Sequence, residues 1–321
     1  MKYVNYPFKE TKRLSFYLAT EEYLAREFES AEYFFMWQVK PTVIFGRNQL
    51  IENEVNMKYV KDNNIEYYRR KSGGGCVYAD YSNIMFSFIT PNFNKDFVFS
   101  TYLNRVADIL KKLGLNAYVS GRNDILVDGL KVSGNAFYQV NHKSIVHGTM
   151  LFDTDLSIMV KAITPDNEKL ISKGVDSVRK RVTNLKEHLD ITIDEFKDYV
   201  RENIADEVIE LNQEDIKKIE KIEESYLKKE FIYGKNPNYT IKKKGRVNAG
   251  IIEISLELKN NIVKKINMLG DYFLIGDEDD FLDNFKNIDF SKTEFLKVLS
   301  QVKINDFIYN ITNEDFLQIL F

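Results

Sequence analysis

The chain has 321 residues, 45 basic and 48 acidic side chains, a net charge of −3, and 44% hydrophobic against 29% charged residues. That balance excludes a general nucleic-acid or membrane-surface binder and describes a globular protein of one large and one small domain. The single cysteine, Cys76, excludes an intramolecular disulfide; no signal-peptide pattern or transmembrane-length run is found, and a cytoplasmic protein is expected.

Leu14, Tyr17, Leu18, Leu24, Ala25 and Phe28 fall near helical spacing and predict an amphipathic helix over 13–29. Residues 33–39 and 42–45 read as strands, Gly46-Arg47-Asn48-Gln49 as a polar turn, and 55–61 as a short helix. A strand at 65–68 then leads into Arg69-Arg70-Lys71-Ser72-Gly73-Gly74-Gly75-Cys76-Val77-Tyr78, with another strand at 83–90, and together these read as a glycine-loop hairpin. Leu103, Val106, Ala107, Leu110 and Leu113 mark a helix that Gly114 ends. Residues 124–132 have the form of a hairpin around Asp128-Gly129, which brings Asp124 near Lys131 across two strands. Strands run on to about 153, and 157–226 reads as mostly helical, its Ile216, Ile219, Ile222 and Tyr226 stripe set among solvated Lys and Glu. Gly234-Lys235-Asn236-Pro237-Asn238 and the following Lys242-Lys243-Lys244-Gly245 read as a hinge. Beyond it come strands at 251–258 and 261–268, joined by Lys259-Asn260-Asn261, and helices at 293–299 and 314–321. The boundary drawn on this pattern gives domains 1–240 and 241–321.

Eight of the fifteen glycines lie between 73 and 148, a concentration that suits backbone meeting a ligand rather than a structural framework. Successive N–H groups at Gly73 to Gly75 can converge on an anion, with Arg70 and Lys71 beside them. A bulged hairpin with exposed basic residues is the alternative for the glycines taken alone. His142, His147 and His188, with one cysteine, give no zinc spacing.

Taken in order, Arg-Arg-x-Ser-Gly-Gly-Gly-x-Val, Gly-Arg-Asn-Asp (121–124), Lys-Val-Ser-Gly-x-Ala (131–136), His-Gly-Thr (147–149) and Ser-Val-Arg-x-Arg-Val-Thr-Asn-Leu (177–185) resemble the lipoate–protein ligase family, over essentially the whole chain. The resemblance implies an α/β (α+β) fold: a mixed sheet with flanking helices, like that of biotin ligases and class II synthetases, then a small C-terminal α/β accessory (lid) domain. It also implies ATP-dependent joining of lipoate to a specific lysine of an acceptor, either the glycine-cleavage H protein or a 2-oxoacid dehydrogenase E2 lipoyl domain, through a lipoyl-adenylate.

Lys131 matches the family's catalytic lysine, with Asp124 to orient it, position the amine or bind Mg²⁺. The implied ATP contacts are Arg70, Gly75, Cys76, Val77, Tyr78 and Lys131. Lipoate is expected against Arg70, Ser72, Gly73, Gly74 and Lys131, with His147, Gly148, Thr149 and Trp37 lining its apolar slot. Of Phe34, Phe35 and Trp37, two are expected to be core. Two other readings stay open. One is an ATP-independent octanoyl or lipoyl transferase using a cysteine thioester, for which Cys76 sits among basic residues but not at the transferases' nucleophile position. The other is a silent relative that binds without catalysis, which an intact Lys131 and glycine loop disfavour. The biotin ligases' Gly-Arg-Gly-Arg-x-Gly-Arg loop is absent.

Overall fold

Aromatic and β-branched runs near the N-terminus supply the central strands of a large sheet. The computed structural model describes all residues except 48, 50, 93, 122, 164–180, 234–238, 260, 271, 273 and 274. Met1–Lys235 forms one compact unit and Asn236–Phe321 a second, so the break precedes the boundary drawn after residue 240.

In the first unit, β1 (Lys2–Asn5), β2 (Tyr33–Trp37), β6 (Asn83–Thr90), β7 (Ala117–Ser120), β8 (Asp124–Val127), β9 (Leu130–Val140), β10 (Lys143–Leu151) and β11 (Glu207–Glu210) make an eight-stranded mixed sheet. Its order is β11-β1-β2-β6-β10-β9-β8-β7, with β1 parallel to both neighbours. Alternation along the strands feeds two cores. Phe34, Ile84, Phe86 and Phe88 face one side, under α4 (Lys95–Lys112) and a helix at Ile193–Ile204. Tyr33, Phe35, Trp37, Met85 and Ile89 face the other, under α1 (Leu14–Glu27) and a helix at Gln213–Leu227. Phe34 and Phe35 are therefore core, on opposite faces.

β3 (Thr42–Phe45), β4 (Glu66–Arg69) and β5 (Val77–Ala79) form a separate three-stranded sheet in the order β4-β3-β5. This corrects the expected hairpin. The strands flanking the glycines do not pair with each other; each pairs with β3, β4 in parallel and β5 antiparallel. The glycines carry the chain across the end of β3, and the strand at 83–90 belongs to the large sheet. The helix read over 55–61 is α3 (Met57–Asp62), which starts where the Asn56 side chain accepts from Tyr59 N, and a separate short helix that was not read, α2 (Ile51–Glu54), precedes it.

The 124–132 hairpin turns at Asp128 (φ 50°) and Gly129 (φ 83°), the left-handed pair that a tight two-residue turn requires. In the second unit the lysine run is not hinge: residues Tyr239–Val247 form a nine-residue strand that pairs with Gly250–Lys259, which pairs in turn with Ile262–Gly270. One face of that sheet packs on helices Glu278–Asp283, Lys292–Leu299 and Asn313–Leu320 around Phe281, Phe285, Phe295 and Phe316. The Gly234 to Asn238 part of the expected hinge, Asn48, Arg122, Asn260 and residues 177–180 of the last motif lie outside the described residues. Among the described residues no helix is long and apolar enough to cross a membrane.

Candidate functional site

The glycine stretch is wound round a buried arginine. Arg70 is 5% exposed; its Nη2 donates to Gly73 O and Gly75 O, both at 2.7 Å, its Nη1 to Ile44 O at 3.1 Å and its Nε to Ser72 Oγ at 3.0 Å. Gly74, between the two held carbonyls, takes φ +91°. Three of the five guanidinium donors thus shape the loop, and a fourth ties it to β3. Burial lowers the Arg70 pKa to about 10, which leaves the group charged at neutral pH. The neighbouring Arg69 is wholly buried and donates to the carbonyls of Gly46, Arg47, Gln49 and Ile232, so it anchors the adjoining 46–49 turn.

Lys131 and Asp124 meet as the hairpin required, with Nζ 2.8 Å from Asp124 Oδ1, both side chains about one-third exposed. The contact is close, but Oδ1 lacks an aligned hydrogen bond. Lys131 does not lie opposite Asp124 in register: Gly134 does, and a bulge follows Ile125. The lysine reaches back along β9 over Gly134, where an added Cβ would come within 2.8 Å of Nζ, so a side chain there would displace the amine. The Lys131 backbone is pinned by Arg181 O and Thr183 N at 2.8 and 3.0 Å, the described end of the last motif.

A cleft of about 540 Å³ joins these groups, within the range of small-molecule sites. Of the residues expected from sequence, Arg70, Gly74, Gly75, Cys76, Val77 and Tyr78 line it on the small-sheet side. Trp37, Asp124, Lys131, His147, Gly148 and Thr149 line it on the large-sheet side. Ser72 and Gly73 do not: Ser72 is wholly buried beneath the loop, and Gly73 lines a second cleft between the loop and α4. Burial pushes the Cys76 thiol up to about 12, against the opposing pull of Arg70.

Sequence reasoning missed several lining or supporting groups: Asn123, Asn135, Leu126 and Arg181 in the cleft, and Glu21, Ser87 and Tyr138 behind it. Asn123 and Asn135 clasp each other, each side-chain amide donating to the other's main-chain carbonyl at 2.6 and 3.1 Å. Among the described residues no three His, Cys, Asp or Glu side chains gather as a metal site.

Residues 14–205 match the family described as the Lipoyl protein ligase A/B catalytic domain, and 236–320 match the Bacterial lipoate protein ligase C-terminus. Lipoate-protein ligase LplJ of Bacillus subtilis is 34% identical over 318 residues, covering 95% of this chain and 96% of its own. Lipoate–protein ligase 1 of Staphylococcus aureus is 35% identical over 294 residues, 87% of this chain and 90% of its own. Among solved structures, a bi-partite lipoate protein ligase from Thermoplasma acidophilum, studied with its E2 lipoyl domain, shares the fold at TM-score 0.67 and 24% identity, over 75% of this chain and 98% of its own. P. falciparum LipL1 in complex with lipoate matches at 0.61 and 24%, over 99% and 97%. Lipoate-protein ligase A bound with ATP matches at 0.60 and 23%, over 72% and 97%. By motif order, by both family matches and by identity along nearly its full length, this chain belongs to the lipoate–protein ligase family.

Proposed function

We propose that the chain ligates free lipoate to a specific lysine of a lipoyl-acceptor domain in two steps, through a lipoyl-adenylate made from ATP. The observation that carries this reading is that the Lys131–Asp124 pair, the Arg70-wound glycine loop and the Trp37–His147 wall line one cleft. A carboxylate is a poor electrophile at neutral pH and must be activated. In the first step a lipoate carboxylate oxygen attacks the α-phosphorus of ATP; the new O–P bond forms as the bridging P–O bond breaks, and pyrophosphate leaves with the electron pair. Lys131 serves as the fixed cation beside the acyl carbonyl and the α-phosphate, a charge that needs no reorganisation during reaction. The backbone of the glycine loop receives phosphate oxygens, and the Val77–Tyr78 strand edge reads the adenine. In the second step the acceptor amine attacks the carbonyl carbon, the C–O bond to AMP breaks, and the amine proton is released; Asp124 positions the amine and Lys131.

ATP-bound and lipoate-bound members of the same fold support the two substrates, and the Thermoplasma ligase with its E2 lipoyl domain supports such a domain as acceptor; the H protein is the other acceptor proposed, on the family resemblance alone. Mg²⁺ would arrive on the triphosphate, and with no three-ligand cluster among the described residues Asp124 is the protein group that fits beside it. The cysteine-thioester transferase is disfavoured because a thiol pushed up to about 12 holds almost no thiolate at neutral pH. Residues 236–321 act in the activation step as an accessory lid. Incubation with lipoate and ATP, without acceptor, should release pyrophosphate once and leave lipoyl-adenylate on the protein. Lipoate-independent pyrophosphate release, or none, would overturn the reading.

A further inference from the structure

A line of buried polar groups runs behind the cleft wall and joins its apolar end to the glycine loop. Alternation along β6 and β10 puts Ser87 on the face of Met85 and Ile89, and His147 on the face of Ile145, all toward α1. Glu21 meets them from that helix, wholly buried. Trp37 Nε1 donates to Ser87 Oγ at 2.9 Å, and Ser87 Oγ donates to Glu21 Oε1 at 2.5 Å. Tyr138 OH donates to Glu21 Oε2 at 3.0 Å. His147 Nδ1 lies 2.8 and 3.0 Å from the two Glu21 oxygens, and its Nε2 lies 2.6 Å from Ser72 Oγ. Arg70 Nε closes the line at Ser72 Oγ, 3.0 Å away.

The chemistry of the two ends fixes the direction of every hydrogen between them. An indole N–H and a guanidinium only donate, so Ser87 and Ser72 each accept at one side and pass their hydroxyl hydrogen inward. Tyr138 is held as a phenol, since burial raises its pKa well above the ordinary value. Ser72 therefore donates to His147 Nε2, and the ring hydrogen sits on Nδ1, directed at Glu21. A doubly protonated ring would set a second donor against Ser72 Oγ, which already accepts from Arg70 Nε, and would take from the Ser72 hydroxyl the acceptor it has at Nε2. Such an orphaned buried donor is costly.

We infer that Glu21 is a positioning residue of this enzyme: it accepts the Nδ1 hydrogen of His147 and so locks the ring between the acyl end of the cleft, at Trp37, and the loop at Ser72. The inference rests on the ligase reading for its effect on catalysis, but not for the tautomer. Arg70 keeps its bonds to Ile44 O, Gly73 O and Gly75 O whatever happens at Ser72, so a loss at Glu21 acts on the lipoate side and spares the ATP side.

The test is side-chain ¹⁵N and ¹³C NMR of the imidazoles in the full chain, which holds three histidines, followed by kinetics of two variants. Wild-type His147 is expected as the Nδ1–H tautomer; an Nε2–H or doubly protonated ring overturns the inference, and this holds even if the variants do not fold. Glu21→Gln keeps an acceptor and should retain lipoate KM within about threefold, while Glu21→Met, with none, should raise it about tenfold or more with ATP KM within about twofold. Equal changes in both KM values, a change in stability alone, or a Met variant as good as wild type would leave Glu21 a structural residue. A wild-type chain that forms no adenylate would instead fail the ligase reading, with the tautomer still decided on its own.

Discussion

Lys131 sits on a hairpin with its side chain about one-third exposed and its backbone tied to Arg181 and Thr183, so the amine contributes little to the fold. An exposed ion pair such as that with Asp124 is worth at most about 1 kcal/mol. A preorganised charge at a reacting centre is worth far more, about 10²–10³ in rate. Lys131→Ala should therefore lose adenylate formation by about that factor while its melting temperature stays near wild type. A variant that melts several degrees lower yet turns over normally would contradict the role given to Lys131. Cys76→Ser is the matching control: with a thiol pushed up to about 12, activity should persist, and its disappearance would favour the thioester route. At this scale the motif residues were legible because each stands in a local string. Glu21 was legible only in hindsight of its spacing. It falls in line with Leu14, Tyr17, Leu18, Leu24 and Ala25, so a carboxylate occupies the centre of an apolar stripe, a pattern that signals a buried charge with a built partner.

The glycine loop depends on the turn that precedes it. Gly46 passes so close that an added Cβ would stand 2.3 Å from Gly74 O and 3.3 Å from Arg70 Nη2, and the first of these is backbone that cannot swing aside. Gly46→Ala must push the loop off the turn. Overpacking of this kind costs about 1–3 kcal/mol, and adenylate formation should fall by more than the lost stability explains. A thermal melt and a single-turnover rate on the same preparation check it; an unchanged rate would show that the loop's position is not what the reaction needs. The elements themselves were readable where periodicity was strong, as in β6 and α4. They were unreadable where pairing is non-local. The short β1 and β11 gain strand character from lying parallel to each other across the whole first unit, and β5 from flanking β3; β4 was read as a strand, but its parallel pairing with β3 was not. Lys242-Lys243-Lys244 looked like a hinge because lysines are poor strand formers. Their strand is held by nine paired residues on Gly250–Lys259.

At the scale of the whole chain, each unit has its own core, built in the second around four phenylalanines and the inner face of a three-stranded sheet. A chain ending near residue 235 should therefore fold, form adenylate poorly, and still transfer lipoate from pre-made lipoyl-adenylate to an acceptor. If the shortened protein makes adenylate as fast as the full chain, residues 236–321 are an acceptor-docking unit and not part of the activation machinery. The measurement that bears most directly on the enzyme as a whole is the intact mass of an unmodified lipoyl-acceptor domain after incubation with the full chain and free lipoate, with and without ATP. One added lipoyl mass on a single lysine, only when ATP is present, is the expected result; modification without ATP from an acylated donor protein, or none with ATP, would contradict it.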